Sequence, residues 1–431
     1  MLEMFENFLE DKEAWDMYIS GAAGTGKTTS LIKLLEYCTE KNIPTLTCAY
    51  THKACKVIKE TVPFKTNIST LHSFLNKRPG INDEAIDVDK VKFISQLEVP
   101  EAKGVIFLDE YSNIGDIDMC DIIVCQDPDY EGIPKVKVVY IGDPNQLPPI
   151  GEPVAVRPKG NYCIHLTKIY RQDKDNPLKD VLSELISYIE GTKDPEPLVA
   201  NDGFKRGIDL EQKYKELDGD HKVLSYTNKA VEEWNSLIQG RSELELDDRV
   251  MSPTTREEYN YISNVPVEQI TYIDLPRERV LSLGTKYKTL EFMLTMDYIE
   301  FGKFDDKIFA YVFGHYQYKL MKEKLAKAGI EANKQIEKEM GLPAKGWAKA
   351  NFKHPLARKR AKAWREFLSF EDAVICIDFN HAMTIHKSQG STYDNILLDS
   401  QDLDRCNDTN TMLRLWYVAL SRAKYSVYVN K

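Results

Sequence analysis

The chain has 431 residues, of which 42% are hydrophobic and 29% charged, and its 57 Lys and Arg against 67 Asp and Glu give a net charge of −10 at pH 7. This composition is typical of globular proteins, and the length suggests roughly two to four domains. The negative charge excludes a uniformly basic nucleic-acid coat or a polycationic membrane binder, but it leaves room for a locally basic groove.

Neither the cysteines nor the hydropathy indicate secretion or membrane insertion. The eight cysteines are scattered and include no C-x-x-C pair, which favours reduced thiols over a disulfide framework or a zinc site. The acidic N-terminus lacks the uninterrupted apolar core of a secretory signal. No stretch approaches the roughly 18 apolar residues of a membrane span. We therefore expect a soluble, intracellular protein.

The first 150 residues alternate short apolar runs with helical patterns. The runs 17–20, 45–50, 105–108 and 136–141 are typical of strands buried on both faces of a parallel sheet. Between the first two, residues 27–41 carry apolar side chains on a helical period. This βαβ pattern predicts a doubly wound sheet.

A second region of the same kind follows, interrupted by a different segment. Residues 222–226 predict a strand followed by a helix over 228–239, and further strands are predicted at 373–377, 395–398 and 424–429. Residues 241–315 have no such rhythm, and residues 316–368 are basic and mainly helical. The pattern predicts two α/β domains, the second split by an insertion.

The string Gly21-Ala-Ala-Gly24-Thr-Gly26-Lys27-Thr28 stands between a predicted strand and a predicted helix. Its glycines let backbone N–H groups surround phosphate oxygens at a helix N-terminus. Lys27 would reach the β- and γ-phosphates and Thr28 would bind Mg²⁺. A plain glycine-rich turn is the alternative.

Two other predicted strands end in polar residues at the same sheet edge. Residues 105–108 lead into Asp109-Glu110, where Asp109 would hold Mg²⁺ and Glu110 would activate a water. Residues 136–141 lead into a Pro- and Asn-rich turn that contains Gln146, which would sense the γ-phosphate. Each alone could be an ordinary helix cap or turn. Together with the glycine-rich loop, they predict a nucleotide hydrolase.

These segments resemble motifs of superfamily 1 helicases. GAAGTGKTT, IFLDEYS and YIGDPNQLPPI resemble motifs I, II and III. The rest of the series follows in order as AYTHKA (49–54), STLHSF (69–74), LTKIYRQ (166–172), a block over 223–237, HAMTIHKSQGS (381–391) and YVALSRAK (417–424). The chain resembles the RecD-like branch, and most of all the Dda type of bacteriophage helicase.

The resemblance implies an α/β fold of two RecA-like P-loop domains with parallel, doubly wound sheets. It places the first domain at 1–165 with a small β-hairpin insertion, the pin, at 76–103. The second domain would comprise 166–240 and 371–431, with an SH3-like or helical insertion at 241–370.

The resemblance also assigns a nucleotide site. The nucleotide would be bound by Gly21, Gly24, Thr25, Gly26, Lys27, Thr28 and Thr29. The catalytic residues would be Lys27, Glu110, Gln146, Arg171 and Arg422, with Thr28 and Asp109 as metal ligands. Arg171 and Arg422 are expected in the second domain, as arginine fingers reaching across a cleft.

The DNA-contacting residues follow from the same resemblance. They are Thr51, His52, Thr70, His72, Thr384 and His386 in the strand-groove motifs, each of which could equally be a cap or core residue. Lys387 and Gln389 would couple the groove to the nucleotide. Phe93 would be the wedge of the pin, or else a local core residue.

The basic segment is a further candidate. Residues 319–365 contain 14 Lys and Arg against four acidic residues, a local charge of +10 that leaves −20 elsewhere. Trp347, Phe352, His354 and Trp364 lie among them. The pattern suits a single-strand-binding surface, with Trp364 as the expected base-stacking residue, or a solvated helical face.

RecD-like helicases carry a helix and an adenine-reading Gln upstream of motif I. Only 20 residues precede Gly21 and the first Gln is Gln96, so we expect neither feature, and other nucleoside triphosphates should be accepted besides ATP.

The resulting hypothesis is an ATP- and Mg²⁺-dependent DNA helicase, moving 5′ to 3′ in phage replication or recombination. It would act as a monomer on single-stranded and forked DNA, with single-strand-binding or other replication proteins as partners, no membrane, and the cytoplasm of an infected bacterium as its location. The alternatives are a nucleotide-gated single-strand-binding remodelling module without processive unwinding and a P-loop ATPase or kinase unrelated to DNA.

Overall fold

A computed structural model describes residues 1–80, 92–95, 104–126, 135–149, 155–170, 175–240, 250–251, 266–267, 270–284, 289–301 and 308–430. The chain divides into two compact units. The first comprises Met1–Lys77, Ser95–Arg241 and His381–Lys431, and the second comprises Arg78–Ile94 and Ser242–Asn380. Within the described ranges, no helix is both long and apolar enough to cross a membrane.

The first unit contains a six-stranded parallel sheet in the order β3-β2-β6-β7-β1-β8. Its strands are β1 (Asp16–Gly21), β2 (Thr45–Ala49), β3 (Ile68–Thr70), β6 (Gly104–Asp109), β7 (Val136–Gly142) and β8 (Cys163–Leu166). The helices of this part are α1 (Leu2–Glu10), α2 (Lys27–Glu40), α3 (His52–Thr61), α4 (Leu71–Phe74) and α5 (Asp116–Gln126). The four strands predicted in this region are confirmed.

The helix α1 corrects the expectation that no helix precedes the glycine-rich loop. Phe5 and Phe8 lie on one side of α1 and are fully buried, with the Phe5 ring 6.0 Å from that of Phe107 on β6. Burying two such rings contributes about 1.5–3 kcal/mol each, which is enough to dock a short helix that would be marginal alone. The helix contains no Gln.

The same unit contains a second parallel sheet in the order β17-β10-β18-β19-β9. Its strands are β9 (Phe204–Lys205), β10 (His221–Ser225), β17 (Ala382–Thr384), β18 (Tyr393–Leu398) and β19 (Ala423–Val429). Its helices are α6 (Leu178–Ile189), α7 (Leu210–Glu216), α8 (Asn228–Gln239), α12 (Ser400–Leu403) and α13 (Thr409–Ser421). The prediction of two parallel α/β sheets is therefore confirmed.

The second unit contains a mixed sheet in the order β12-β11-β16-β15-β14-β13. Its strands are β11 (Val250–Met251), β12 (Pro266–Val267), β13 (Ile270–Gly284), β14 (Thr289–Phe301), β15 (Ile308–Gly314) and β16 (Val374–Phe379), and its helices are α9 (His315–Met340), α10 (Ala344–Ala350) and α11 (Pro355–Ala373). A separate two-stranded sheet joins β4 (Lys77–Gly80) and β5 (Lys92–Ser95), within the range predicted for the pin.

Strand β16 corrects the predicted return to the second α/β domain. Residues 373–377 were expected in its sheet, but β16 pairs with β15 and β11 instead. An apolar run predicts a strand without identifying its neighbours, which are set by long-range pairing. The boundary between the units therefore lies at 380/381 rather than 370/371. The helical character of 316–368 is confirmed, whereas the SH3-like alternative stays a prediction.

Candidate active site

The glycine-rich loop joins the end of β1 to the start of α2 in the conformation that its glycines require. Gly26 precedes α2 with φ of +90°, a left-handed value that other residues seldom adopt. A Cβ on Gly21 would lie 2.6 Å from Thr25 Oγ1 and 2.7 Å from the Leu166 carbonyl oxygen, so a side chain cannot fit there. Lys27 opens α2, and its Nζ donates to the Gly21 and Ala22 carbonyls at 2.8 and 2.9 Å.

The acidic pair lies where β6 ends. Burial raises the pKa of the Asp109 carboxyl, while the Lys27 ammonium and the Glu110 N–H oppose the rise. Glu110 has φ of +58° and ψ of +47°, a left-handed backbone that costs about 1–3 kcal/mol in a residue other than glycine. A Cβ on Gly390 would be 3.3 Å from Glu110 Oε1, so the loop after β17 lies against this carboxylate.

A third loop, after β7, brings a buried amide. The Asp143 carboxylate accepts the Asn145 N–H at 3.0 Å and orders the turn that carries Gln146. Gln146 is 93% buried, since its exposed fraction is 7%. Within the described part of the chain, its Oε1 and the Nε2 of Gln389 are buried without a hydrogen-bond partner. A buried polar atom without a hydrogen-bond partner costs free energy, and a polar ligand bound here would remove that cost. The two amides therefore suit a site for a polar ligand.

Helix α13 belongs to the second parallel sheet of the first unit, and it contacts two of these loops. The Tyr417 hydroxyl donates to Asp143 Oδ2 at 2.6 Å and accepts the Ala23 N–H at 3.1 Å. Arg414 Nη1 donates to the Pro144 and Gln146 carbonyls at 2.6 and 2.7 Å. The resemblance assigned no role to either residue, although both lie in or beside the YVALSRAK segment.

Arg422 follows directly after α13 and is only 1% exposed. Its guanidinium donates to the Val418 and Ser391 carbonyls and to the Ser421 hydroxyl, which are neutral acceptors. Burial lowers the pKa of this guanidinium, while nearby groups including Tyr417 and Glu110 oppose the change. An arginine stays protonated under such conditions, so the interior holds a positive charge that interacts electrostatically with Glu110.

Arg171 lies outside the described residues, but the residue before it does not. The Tyr170 N–H donates to the Gly24 carbonyl at 2.7 Å, four residues after β8 of the first sheet. Tyr170 therefore lies beside the glycine-rich loop of the first sheet, and the expected place of Arg171 in the second domain stays a prediction. Tyr170 is 64% exposed, and Lys168 Nζ lies 5.0 Å from the centroid of its ring.

The donors Thr28 and Asp109 suit Mg²⁺, which prefers oxygen ligands and keeps several waters. No group of three or more His, Cys, Asp or Glu in the described residues could hold a metal. A site with one hydroxyl and one carboxylate fits an ion that takes its other ligands from phosphate and water.

Two family models match the parts of the chain that build this site. One, described as an AAA domain, matches residues 10–152, and the other, described as a UvrD-like helicase C-terminal domain, matches residues 379–429. The ATP-dependent DNA helicase dda of Enterobacteria phage T4 is 24% identical over 455 residues, covering 95% of this chain and 93% of that protein. The chain is related to the superfamily 1 helicases of the Dda and RecD type.

Other relatives match over shorter stretches. The ATP-dependent RecD2 DNA helicase of Deinococcus radiodurans is 26% identical over 37% of this chain and 20% of its own length. An uncharacterised protein of Acanthamoeba polyphaga mimivirus is 30% identical over 31% of this chain and 29% of its own length. The chain thus matches less than a third of either protein.

The fold itself matches that of a solved helicase structure. A crystal structure of the Pif1 helicase from Bacteroides, in complex with ADP-AlF3 and single-stranded DNA, aligns over 100% of this chain and 92% of that one, with a TM-score of 0.50 and 17% identity. At this identity the likeness shows the shared fold.

The threonines of the superfamily 1 strand-groove motifs lie at caps and turns. Thr51 is exposed and accepts the Ala54 N–H at the start of α3, and Thr70 accepts the Ser73 N–H at the start of α4. Thr384 is buried and accepts the Lys387 N–H at 3.3 Å. Contact of these hydroxyls with DNA stays a prediction.

Two aromatic candidates have structural roles instead. His72 is buried with its Nε2 3.4 Å from Asp118 Oδ2, and Lys77 Nζ pairs with the same carboxylate at 2.6 Å. Trp364 is 6% exposed and donates its indole N–H to Asn333 Oδ1 at 3.3 Å. In this packing neither ring is presented for the DNA contact that the sequence suggested, because each pairs with polar partners from another element.

The remaining strand-groove candidates stay predictions. His386 is half-buried, and burial lowers its pKa, so its ring is neutral near pH 7. Phe93 lies on β5, but its side chain and that of His52 are outside the described part of the structure.

Proposed function

We propose that the protein is an ATP-driven DNA helicase that moves along single-stranded DNA and separates duplex strands. The observation that carries this proposal is the arrangement around Glu110. The phosphate loop and the acidic pair come from the first sheet, while Gly390 and Arg422 come from loops of the second. A hydrolytic site built from two parallel sheets can open and close as nucleotide binds and leaves, which suits a motor.

Each residue has a role in hydrolysis that its position supports. Lys27 would exchange the Gly21 and Ala22 carbonyls for the β- and γ-phosphates of the nucleotide. Glu110 would accept the proton of the attacking water, and Arg422 would stabilise negative charge that develops on the transferred phosphoryl group. The unpartnered Gln146 Oε1 would accept a hydrogen bond from the attacking water, and the unpartnered Gln389 Nε2 would donate one to the γ-phosphate. Mg²⁺, held by Thr28 and Asp109, would neutralise phosphate charge.

The nucleotide assignment is tested by Lys27→Ala. Hydrolysis should fall below detection, while binding of single-stranded DNA is largely kept. Lys33→Ala is a matched control, because Lys33 is exposed on the same helix α2 and should leave hydrolysis unchanged. Retained DNA-stimulated turnover in Lys27→Ala would falsify the assignment.

Helicase activity is tested by strand displacement. Duplexes with a 5′ or a 3′ single-stranded tail are compared under the same conditions, and we expect opening from the 5′ tail, as the resemblance implies. If ATP turns over but neither duplex opens, the remodelling module without processive unwinding becomes the better proposal. A hydrolysis rate that DNA does not change would favour an ATPase unrelated to DNA.

The nucleotide and biological setting are proposed with the same function. Since α1 contains no Gln, we expect several nucleoside triphosphates to support unwinding, which a panel of the four common ones would test. The likeness to a phage T4 helicase supports a role in phage DNA replication or recombination. Forked DNA is the expected substrate, and single-strand-binding or other replication proteins are the expected partners of a monomer.

A further inference from the structure

The stretch from 341 to 365 in the second unit concentrates positive charge. It contains eight Lys and Arg and no Asp or Glu. Lys345, Lys349 and Lys353 are all exposed. The first two lie four residues apart on α10, whose other face buries Ala344 and Ala348 against Ile336 of α9. Helix α10 therefore presents its lysines away from the packed side.

An aromatic ring projects from the same place. Phe352 is 67% exposed in the turn Asn351–His354 between α10 and α11, and Lys353 Nζ lies 5.8 Å from its centroid. Leaving a phenylalanine in water forfeits most of what its burial would contribute, so an exposed ring beside a lysine suits a function other than folding.

The turn is held in place by its own contacts. The Asn351 N–H and Nδ2 both donate to the Trp347 carbonyl at 2.9 Å, and the His354 N–H donates to the Asn351 carbonyl at 2.8 Å. The His354 and Trp347 rings meet in a T-shaped arrangement, with their centroids 4.9 Å apart. These contacts stabilise the conformation of the turn in which Phe352 is exposed.

Trp364 has the opposite environment. Its ring packs on Gly329 of α9, where a Cβ would lie 2.6 Å from the indole, and its N–H is bonded to Asn333. Trp364 holds α11 against α9, so it stabilises the module while Phe352 remains available at the surface.

We propose that the turn Asn351–His354 and the exposed face of α10 form a binding site for single-stranded nucleic acid. Phe352 stacks on an unpaired base, and Lys345, Lys349 and Lys353 contact the flanking phosphates. A single strand is the occupant that fits, because a duplex offers phosphates but no free base face to a protruding ring. The inference rests on the proposed function for its ligand, and it adds a site in the second unit, outside the motifs that define the motor.

The test is binding of fluorescein-labelled oligo-dT to the full chain without nucleotide, followed by anisotropy. Phe352→Ala should weaken binding by about tenfold, and Phe352→Tyr should restore it, because stacking needs only the ring. The double variant Lys349→Ala/Lys353→Ala should reduce the slope of log affinity against log salt by about 1.4, as expected for two phosphate contacts on a single strand.

The matched control is Lys334→Ala/Lys338→Ala, which removes the same charge from exposed positions of α9 and should change the slope much less. Equal effects of the two double variants would overturn the proposal, because binding would then depend on net charge alone. So would unchanged affinity of Phe352→Ala, or tighter binding of a duplex of equal length. Wild-type ATP hydrolysis is measured in parallel, so that failure of the motor assignment is distinguishable from failure of this site.

Discussion

The hydroxyl of Tyr417 links the helix that precedes Arg422 to the phosphate loop. It donates to Asp143 Oδ2 and accepts the Ala23 N–H, and all three groups are buried. Tyr417→Phe removes this one oxygen and keeps the ring. We predict that the variant folds but hydrolyses ATP slowly, because α13 no longer holds Arg422 in register with the loop.

The size of the effect follows from the bonds lost. A hydrogen bond to a charged group contributes about 1.5–3 kcal/mol, and a buried N–H without a partner costs a similar amount. If the loss of these hydrogen bonds raises the activation free energy of hydrolysis by about 2 kcal/mol, kcat falls roughly 30-fold. KM for ATP should change little, since Asp143 and Ala23, the residues that the Tyr417 hydroxyl bonds, are not among those assigned to the nucleotide.

The assay is steady-state ATP hydrolysis with saturating oligo-dT, with thermal unfolding measured on the same samples. Tyr425→Phe is the control, because Tyr425 lies three residues after Arg422 but is 44% exposed. Tyr417 acts as a positioning residue, so Tyr417→Phe/Arg422→Ala should be no slower than Arg422→Ala alone. Additive losses in the double variant would refute the reasoning.

Three other changes test separate parts of the first unit. Gly390→Ala should lower kcat about fivefold and leave ATP binding unchanged. The φ of +73° at Gly390 disfavours alanine, and the new methyl group would press on Glu110. An unchanged kcat would contradict this prediction. Tyr170 is exposed and its backbone N–H bonds Gly24 of the phosphate loop, so we expect its ring to stack on the base. Tyr170→Ala should then raise KM for ATP about tenfold, whereas Tyr170→Phe should not, and an unchanged KM in Tyr170→Ala would contradict this.

The third change, Asp118→Asn, concerns stability. Burial would raise the pKa of Asp118, but its bonds to His72 and Lys77 outweigh burial and hold that pKa below its usual range. At neutral pH the free energy of unfolding of the wild type should therefore exceed that of the variant by about 2 kcal/mol. This difference should shrink below roughly pH 4, because the wild-type carboxyl then becomes protonated. Chemical denaturation across this range measures it, and a pH-independent difference would contradict the explanation.

The sequence predicted the two parallel sheets because their strands are buried on both faces and therefore form continuous apolar runs, as in β6 and β7. It also located Lys27, Asp109 and Glu110, since a phosphate loop and an acidic pair lie at fixed places relative to such strands. These features are local in the chain.

Features that depend on distant partners were not predictable in the same way. The burial of Trp364 depends on Gly329, 35 residues earlier, whose missing side chain lets the indole approach α9. The burial of His72 depends on Asp118 of α5. Aromatic residues spaced among lysines look alike in the sequence, and only the packing of α9 against α11 distinguishes the buried Trp364 from the exposed Phe352.

The distribution of charge explains how an acidic protein can present such a site. Removing 319–365 leaves −20 in the rest of the chain, yet electrostatic interactions between exposed charges are screened over about 10 Å at 0.1 M salt. A phosphate beside Phe352 is therefore governed by Lys345, Lys349 and Lys353 and by the absence of acidic residues from 341 to 365, rather than by the net charge of −10. Lowering the salt concentration weakens the screening of the acidic residues elsewhere in the chain as well as that of the lysines. The affinity for oligo-dT in the anisotropy titrations should therefore level off at low salt instead of continuing to rise. A protein with a uniformly basic surface would show no such flattening.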